Sequence, residues 1–340
     1  MSLYAESATL LISAKDKLDE FGGVGPGFDA WRLSLSILVM FLHTFFVCYG
    51  RLSEISANLG VYGRPVFVAV LPIFFGLSGF LVAASAERAT SVFSFLWFRA
   101  IRLVPALAVE TTLAALILGP LVTTLPLTEY FSHQKFFAYF GNIVGRVRYE
   151  LPGVFETSLE PGVVNLNLWT LHAELECYAI MAAVIVLGLL QRRLLALVLW
   201  IGVTAALQVW NLTYGKFETA SLYPTSIYVY SFCTCVVAFL WRDKIPVSRG
   251  IFAPVGGVYL VLVYLPHTVF LVIPLLAYIM IYVGVSPRFA VKVPGDYSYG
   301  IYLYSFVITQ TVAWAMPGEL HWWIICPLSL VLTVGFAAAS

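Results

Sequence analysis

The chain has 340 residues, of which 61% are hydrophobic and 11% charged, with a mean hydropathy of +0.90. Such a composition cannot be wrapped into a soluble surface and marks an integral membrane protein. A net charge of +1, with no basic domain outside the apolar runs, excludes nucleic acid as a partner. No metal is expected either, because Cys233 and Cys235 stand two apart inside an apolar run without a histidine, and Cys48, Cys177 and Cys326 read as packing residues.

The first segment, 1–29, carries charges and Gly-Gly-Val-Gly-Pro-Gly at 22–27 but no cleavable leader pattern, so the first apolar run is expected to stay as an anchor. From 30 to 340 apolar runs of spanning length recur. They lie near 30–50, 64–84, 103–124, 168–190, 194–211, 222–241, 250–265, 267–285, 297–316 and 321–340. The seventh and eighth are divided only by Leu265-Pro266-His267. An N-terminus in the cytoplasm puts thirteen of the 19 Lys and Arg on that side and leaves Arg51, Arg64, Lys135, Arg146, Arg148 and Lys216 on the other. The expected fold is an all-α bundle of about ten transmembrane helices with N- and C-termini cytoplasmic. The long stretch 125–167 then faces the periplasm, where a loop of that length is more often functional than idle.

In the first run, WRLSLSILVMFLHTFF, Arg32 and His43 stand eleven positions apart. At about 100° per residue they return to one helix face, with His43 roughly 16 Å further along the axis. Arg32 thus sits at a membrane surface and His43 near the middle. An ionisable group there is costly unless partnered or wet, so it is a candidate for function, although a bond to a neighbouring helix would also account for it. In the second run, GLSGF at 76–80 lacks the spacing and the strand-turn-helix setting of a nucleophile elbow, and Ser78 reads as a helix-packing residue.

Arg99 and Arg102, in FLWFRAIRLVPAL, are three apart at the start of the third run and share a face. Paired guanidinium donors suit a phosphorylated cofactor, and positive-inside anchoring would explain the same residues. LWTLHAELECYAI opens the fourth run with Trp169, His172, Glu174, Glu176 and Tyr178; Glu174 and Tyr178 share a face while Glu176 points elsewhere. Glu174 is the expected partner of His43, because a carboxylate that orients an imidazole is the usual arrangement for a general base, and a structural ion pair is the alternative. GDYSYGIYLYSF introduces the ninth run with Asp296, Tyr299, Tyr302 and Ser305, where an aromatic belt would account for most of the tyrosines.

Taken in order, DAWRLSLSILVMFLH (29–43), FFGLSGFLVA (74–83), FRAIRLVPAL (98–107), LWTLHAELECY (168–178) and DYSYGIYLYSF (296–306) resemble the acyltransferase-3 family of integral membrane acyltransferases, which includes O-antigen and Nod-factor acetylases. The resemblance implies a multi-pass protein of the bacterial inner membrane, set among membrane lipids. Its reaction would move an acyl group, most often acetyl from acetyl-CoA, to a hydroxyl of a carbohydrate or lipid-linked glycan acceptor. It assigns His43 as base or transient acyl acceptor, supported by Glu174. Arg32, Arg99 and Arg102 would hold the donor's phosphates, and Trp169, Tyr178, Tyr302 and Ser305 would line the substrate site. Many members carry a histidine where this chain has Ser305. A transporter or flippase would use the same intramembrane ionisable residues, as a proton relay or anion path.

Overall fold

The computed structural model describes residues 12–50, 60, 62–215, 224–291, 297–316 and 318–339. Among them there are helices and isolated bridges but no named strand. Asp296, Arg51 and Lys216 lie outside the described residues.

Helix α1 (Ala14–Glu20) opens on a capping box in which the Ser13 hydroxyl and Asp16 carboxylate serve each other's backbone N–H groups. Those bonds from the Ser13 backbone and side chain hold the Asp16 carboxyl below its usual range. The helix is fastened to a distant turn by Ala14 N–H to Ile245 O at 2.8 Å, Lys15 N–H to Arg242 O at 3.0 Å and Val247 N–H to Ile12 O at 2.8 Å. Helix α2 (Phe28–Tyr49) follows the glycine-rich turn. That turn is a packed joint: a side chain on Gly25 or Gly27 would strike the carbonyls of Gly284 and Val283, and Gly27 N–H bonds Gly284 O at 2.9 Å.

Helix α3 (Arg64–Glu87) is the most deeply buried candidate span. Its Gly76 and Gly79 let it press on the helix Thr225–Leu240, where any side chain at 79 would meet the Phe232 carbonyl, and the Ser231 hydroxyl bonds Pro72 O at 2.7 Å. Helix α4 (Val92–Leu113) begins eleven residues before the expected run, because Ser91 and Ser94 form a capping box there. Arg99 and Arg102 therefore lie inside the helix, not at its start. It continues through a π-helical turn, Ala114–Leu118, and a last turn, Gly119–Val122. The continuous helix Val92–Val122 has 31 residues, about 46 Å at 1.5 Å per residue, longer than a ~30 Å hydrocarbon layer.

The stretch 123–165 is a small packed unit. Helices α5 (Leu127–Ser132) and α6 (Gln134–Tyr139) and a 3-10 turn (Phe140–Val144) surround a core that includes Tyr130, Tyr139, Leu151, Val154 and Phe155. Tyr130 reaches the π-turn, its hydroxyl donating to Ala115 O at 2.8 Å. Directly after the 3-10 turn, Gly145 lies close against the Leu175 side chain of the helix Trp169–Val186.

The remaining helices are α7 (Trp169–Val186), α8 (Arg193–Tyr214), α9 (Thr225–Leu240), α10 (Arg249–Leu262), α11 (Val269–Gly284), α12 (Tyr297–Ala315) and α13 (Trp322–Ala339). The turn expected at Leu265–His267 is present, with His267 at φ 59° and the Thr268 hydroxyl donating to the Leu262 and Leu265 carbonyls. Each expected run is occupied by a helix. Five of them, α2, α3, α4 with its extension, α7 with the turn before it and α8, are long and apolar enough to cross a membrane, and α9, α10, α11 and α13 are shorter apolar helices.

Candidate active site

Five helices converge on one cavity of about 80 Å³. Helical phase explains the convergence. Thr170, Glu174 and Tyr178 follow at four-residue steps along α7, Arg99 and Arg102 at a three-residue step along α4, and Tyr299 and Tyr302 along α12, so each set presents one face. Arg32 enters from α2 and Ser78 from α3. Ser78 is thus a lining residue, while the flanking glycines do the packing assigned to it from sequence.

The Tyr178 hydroxyl donates to Glu174, and that carboxylate shares the cavity with Arg102 and Arg99, which act on it electrostatically. Arg99 donates from Nη2 to the Ser85 hydroxyl at 3.0 Å and lies 5.9 Å from the Phe95 ring centre. Its Nε is buried with no hydrogen-bond partner among the described residues. Arg32 lies 3.8 Å from Asp29. Among the described residues, three guanidiniums and one carboxylate line the cavity, an excess of positive charge, and the buried Arg99 Nε is a donor for an anion. Phe74 stacks on Tyr302 at 5.3 Å and Thr170 bonds the Tyr302 hydroxyl at 2.6 Å, and these three residues line the cavity's inner end.

His43 lies outside that lining, half-buried, with its ring edge-on to Phe306 at 5.4 Å. Its Nδ1 is buried without a hydrogen-bond partner among the described residues. Phe306 follows Tyr302 by four residues, about 6 Å along α12, so His43 packs against a residue one helical turn beyond the cavity's lining. Glu174, expected beside His43, is instead bound to Tyr178 and faces the arginines. Trp169 packs edge-on to Tyr228 at 5.7 Å, away from the lining. Ser305 is fully buried: it accepts from Asn167 Nδ2 at 3.1 Å and donates to Tyr302 O at 3.2 Å, so it pins α12 to the turn before α7.

A second polar cluster escaped the sequence reading. Glu110, near the end of α4, is buried and accepts from Asn165 Nδ2 at 2.9 Å, from the Thr111 hydroxyl at 3.4 Å and from the Tyr139 hydroxyl at 3.5 Å. Asn165 also donates to Leu303 O at 3.0 Å. The cluster therefore ties α4, α12 and the 123–165 unit together. A carboxylate in the apolar run LVPALAVETTLAAL was itself a legible sign.

No group of three or more His, Cys, Asp or Glu that could hold a metal ion occurs among the described residues. The architecture is that of an all-helical membrane protein built around a cationic cavity. Residues 26–340 match the acyltransferase-3 family, described as an acyltransferase domain, and the chain belongs to that family. It is 28% identical over 348 residues to Nodulation protein 10 of Rhizobium leguminosarum bv. viciae, covering 92% of this chain and 90% of that one. It is also 31% identical over 154 residues to the O-acetyl transferase of Shigella phage Sf6, covering 45% of this chain and 44% of that one. No solved structure matches the chain. The protein is a membrane acyltransferase.

Proposed function

We propose that the protein moves an acetyl group from acetyl-CoA to a hydroxyl of a carbohydrate, with the two substrates entering from opposite ends of the bundle. The observation that carries this reading is the convergence of Arg32, Arg99 and Arg102 on one cavity, with His43 against Phe306, one turn beyond the cavity's lining. Guanidiniums bind phosphate oxygens through paired donors, and the buried Arg99 Nε offers a further one. The donor's phosphates stay at the cavity while its flexible arm carries the thioester past Tyr302 toward His43.

His43 then acts as general base. Its ring takes the proton of the acceptor hydroxyl as that oxygen attacks the thioester carbonyl; the C–S bond breaks and the leaving thiolate takes up the proton, so ester and free thiol are the products. Glu174 acts on the donor side, as counter-charge to Arg99 and Arg102. The acceptor approaches from the 123–165 unit, which on the positive-inside orientation faces the periplasm of a bacterial inner membrane crossed about ten times. The name of the phage relative favours acetyl and an oxygen acceptor. A lipid-linked glycan would present its sugar at the same end as a soluble oligosaccharide.

The test is acetyl-CoA binding and hydrolysis by purified wild type, His43→Ala and Arg102→Ala. Wild type is expected to bind and slowly hydrolyse the thioester, His43→Ala to bind with turnover lowered by about 10²- to 10⁴-fold, and Arg102→Ala to lose affinity. A folded protein that ignores CoA in all three forms sinks the donor assignment.

A further inference from the structure

A second cavity, of about 340 Å³, opens between α7, α8 and α9, further along α7 than the residues that share a cavity with the arginines. Its walls include Met181, Val184, Ala196, Trp200, Val229 and Phe232. Polar atoms along its walls bond one another, Trp200 Nε1 donating to the Thr234 hydroxyl at 3.0 Å and the Thr204 and Tyr230 hydroxyls bonding at 2.9 Å, and apart from Cys233 and the exposed Ser226 the rest of the lining is apolar. What remains for a ligand is hydrocarbon contact. We propose that this groove holds one acyl chain of an anionic phospholipid, with its headgroup at Arg192 and Lys244.

Length, volume and charge select that occupant. The lining runs from Ala196 to Leu207 on α8 and from Ser226 to Leu240 on α9, roughly 16 and 21 Å at 1.5 Å per residue, against ~15 Å for half of a hydrocarbon layer. The volume takes on the order of eleven groups the size of a water, at ~30 Å³ each, which is most of one acyl chain. At the Ala196 and Leu240 end the chain supplies Arg192, Arg193, Arg242 and Lys244. Arg193 forks onto Asp243 at 3.0 and 3.1 Å and covers the Trp241 ring at 4.9 Å, and Arg242 pairs with Glu87 at 3.0 Å. Arg192 and Lys244 are exposed beside them, Lys244 at 3.9 Å from the same Asp243, so the four cations outweigh Asp243 and Glu87 and this rim keeps a positive excess where a phosphate would sit. The other end offers Gln208, Trp210 and Tyr214 instead. Helix α8, the outer wall, is 6% buried within its apolar window and packs chiefly on α9, so the acyl chain replaces the protein neighbour it lacks.

The site stands apart from the acyl-transfer reading, because lipid retention is measured without turnover. Full-length protein in mild detergent, stripped of loosely held lipid, is offered phosphatidylglycerol or phosphatidylcholine and examined by native mass spectrometry. One phosphatidylglycerol is expected to stay bound, preferred by about fivefold per rim cation. Arg192→Glu with Lys244→Glu should erase the preference, and Ala196→Trp should expel the lipid. Brominated phosphatidylglycerol should quench a saturable part of the tryptophan fluorescence that is missing in Trp200→Phe; this measurement needs no variant that fills the groove. Equal retention of both lipids, undiminished retention in a folded Ala196→Trp protein, or quenching that never saturates would each overturn the proposal.

Discussion

Two carboxylates in apolar helices, the half-buried Glu174 and the buried Glu110, have opposite surroundings. Glu174 shares a cavity with Arg99 and Arg102 and keeps one neutral donor, Tyr178. Glu110 is met by neutral donors from three directions, Asn165, Tyr139 and Thr111. A carboxylate among guanidiniums in an open cavity can exchange partners with an incoming anion. One enclosed by amide and hydroxyl groups is a joint, and its worth lies in holding elements together. Tyr299 lies within electrostatic reach of both.

Glu110→Ala should break the joint most severely. Losing the acceptor of Asn165 and Tyr139 and leaving a void costs about 3 kcal/mol, read as a lower unfolding temperature in detergent, while Glu110→Gln recovers much of it. An unchanged unfolding temperature would end the distinction. In the cavity, Arg102→Ala should weaken CoA binding by roughly 30-fold, the worth of a charge-assisted bond, with the unfolding temperature nearly unmoved. Glu174→Gln keeps an acceptor for Tyr178 but removes the counter-charge, so donor affinity should rise about threefold; a fall would show that Glu174 holds the arginines in place. Tyr139→Phe removes a long bond and should cost about 0.5 kcal/mol. The smallest effect lies outside both regions. Folding lowers the Asp16 pKa from 3.8, so its contribution is present above that pH and fades as pH falls through the lower folded-state value. Asp16→Asn should flatten this part of an acid-unfolding curve.

The helices and the cavity were legible because both rest on periodicity. Apolar runs interrupted at Leu265–His267 gave the helix pairs, and three- and four-residue steps showed which ionisable side chains share a helix face, though not that Glu174 and Ser78 meet the arginines in one cavity. Contacts made across long separations were not legible. Glu110 meets Asn165 across 55 positions and Tyr139 across 29, and no local pattern announces such a meeting. Ser305 drew attention as a stand-in for histidine, yet its hydroxyl serves Asn167 and Tyr302. The start of α4 was misplaced because FLWFRAIR reads as a charged flank, whereas the Ser91 cap begins the helix ahead of both arginines. Burial also escaped hydropathy: α3 and α8 read alike as spans, but Gly76 and Gly79 admit a neighbour to α3 and nothing comparable does so on α8.

The π-turn at Ala114–Leu118 works as a phase shifter within a single rod. An α-helix with one residue removed turns everything beyond the cut by about 100°. The π-turn takes up one residue more than an α-turn, so winding the same residues as a plain α-helix would leave Arg99 and Arg102 in register while swinging Gly119 away from the Tyr130 ring and Thr123 away from the Pro152 carbonyl, contacts that seat the 123–165 unit. The extra residue held in this turn therefore sets the angle between the two ends of the protein, and a variant whose turn is straightened to a plain α-helix at unchanged length should still take up donor while its opposite face no longer lines up to receive an acceptor.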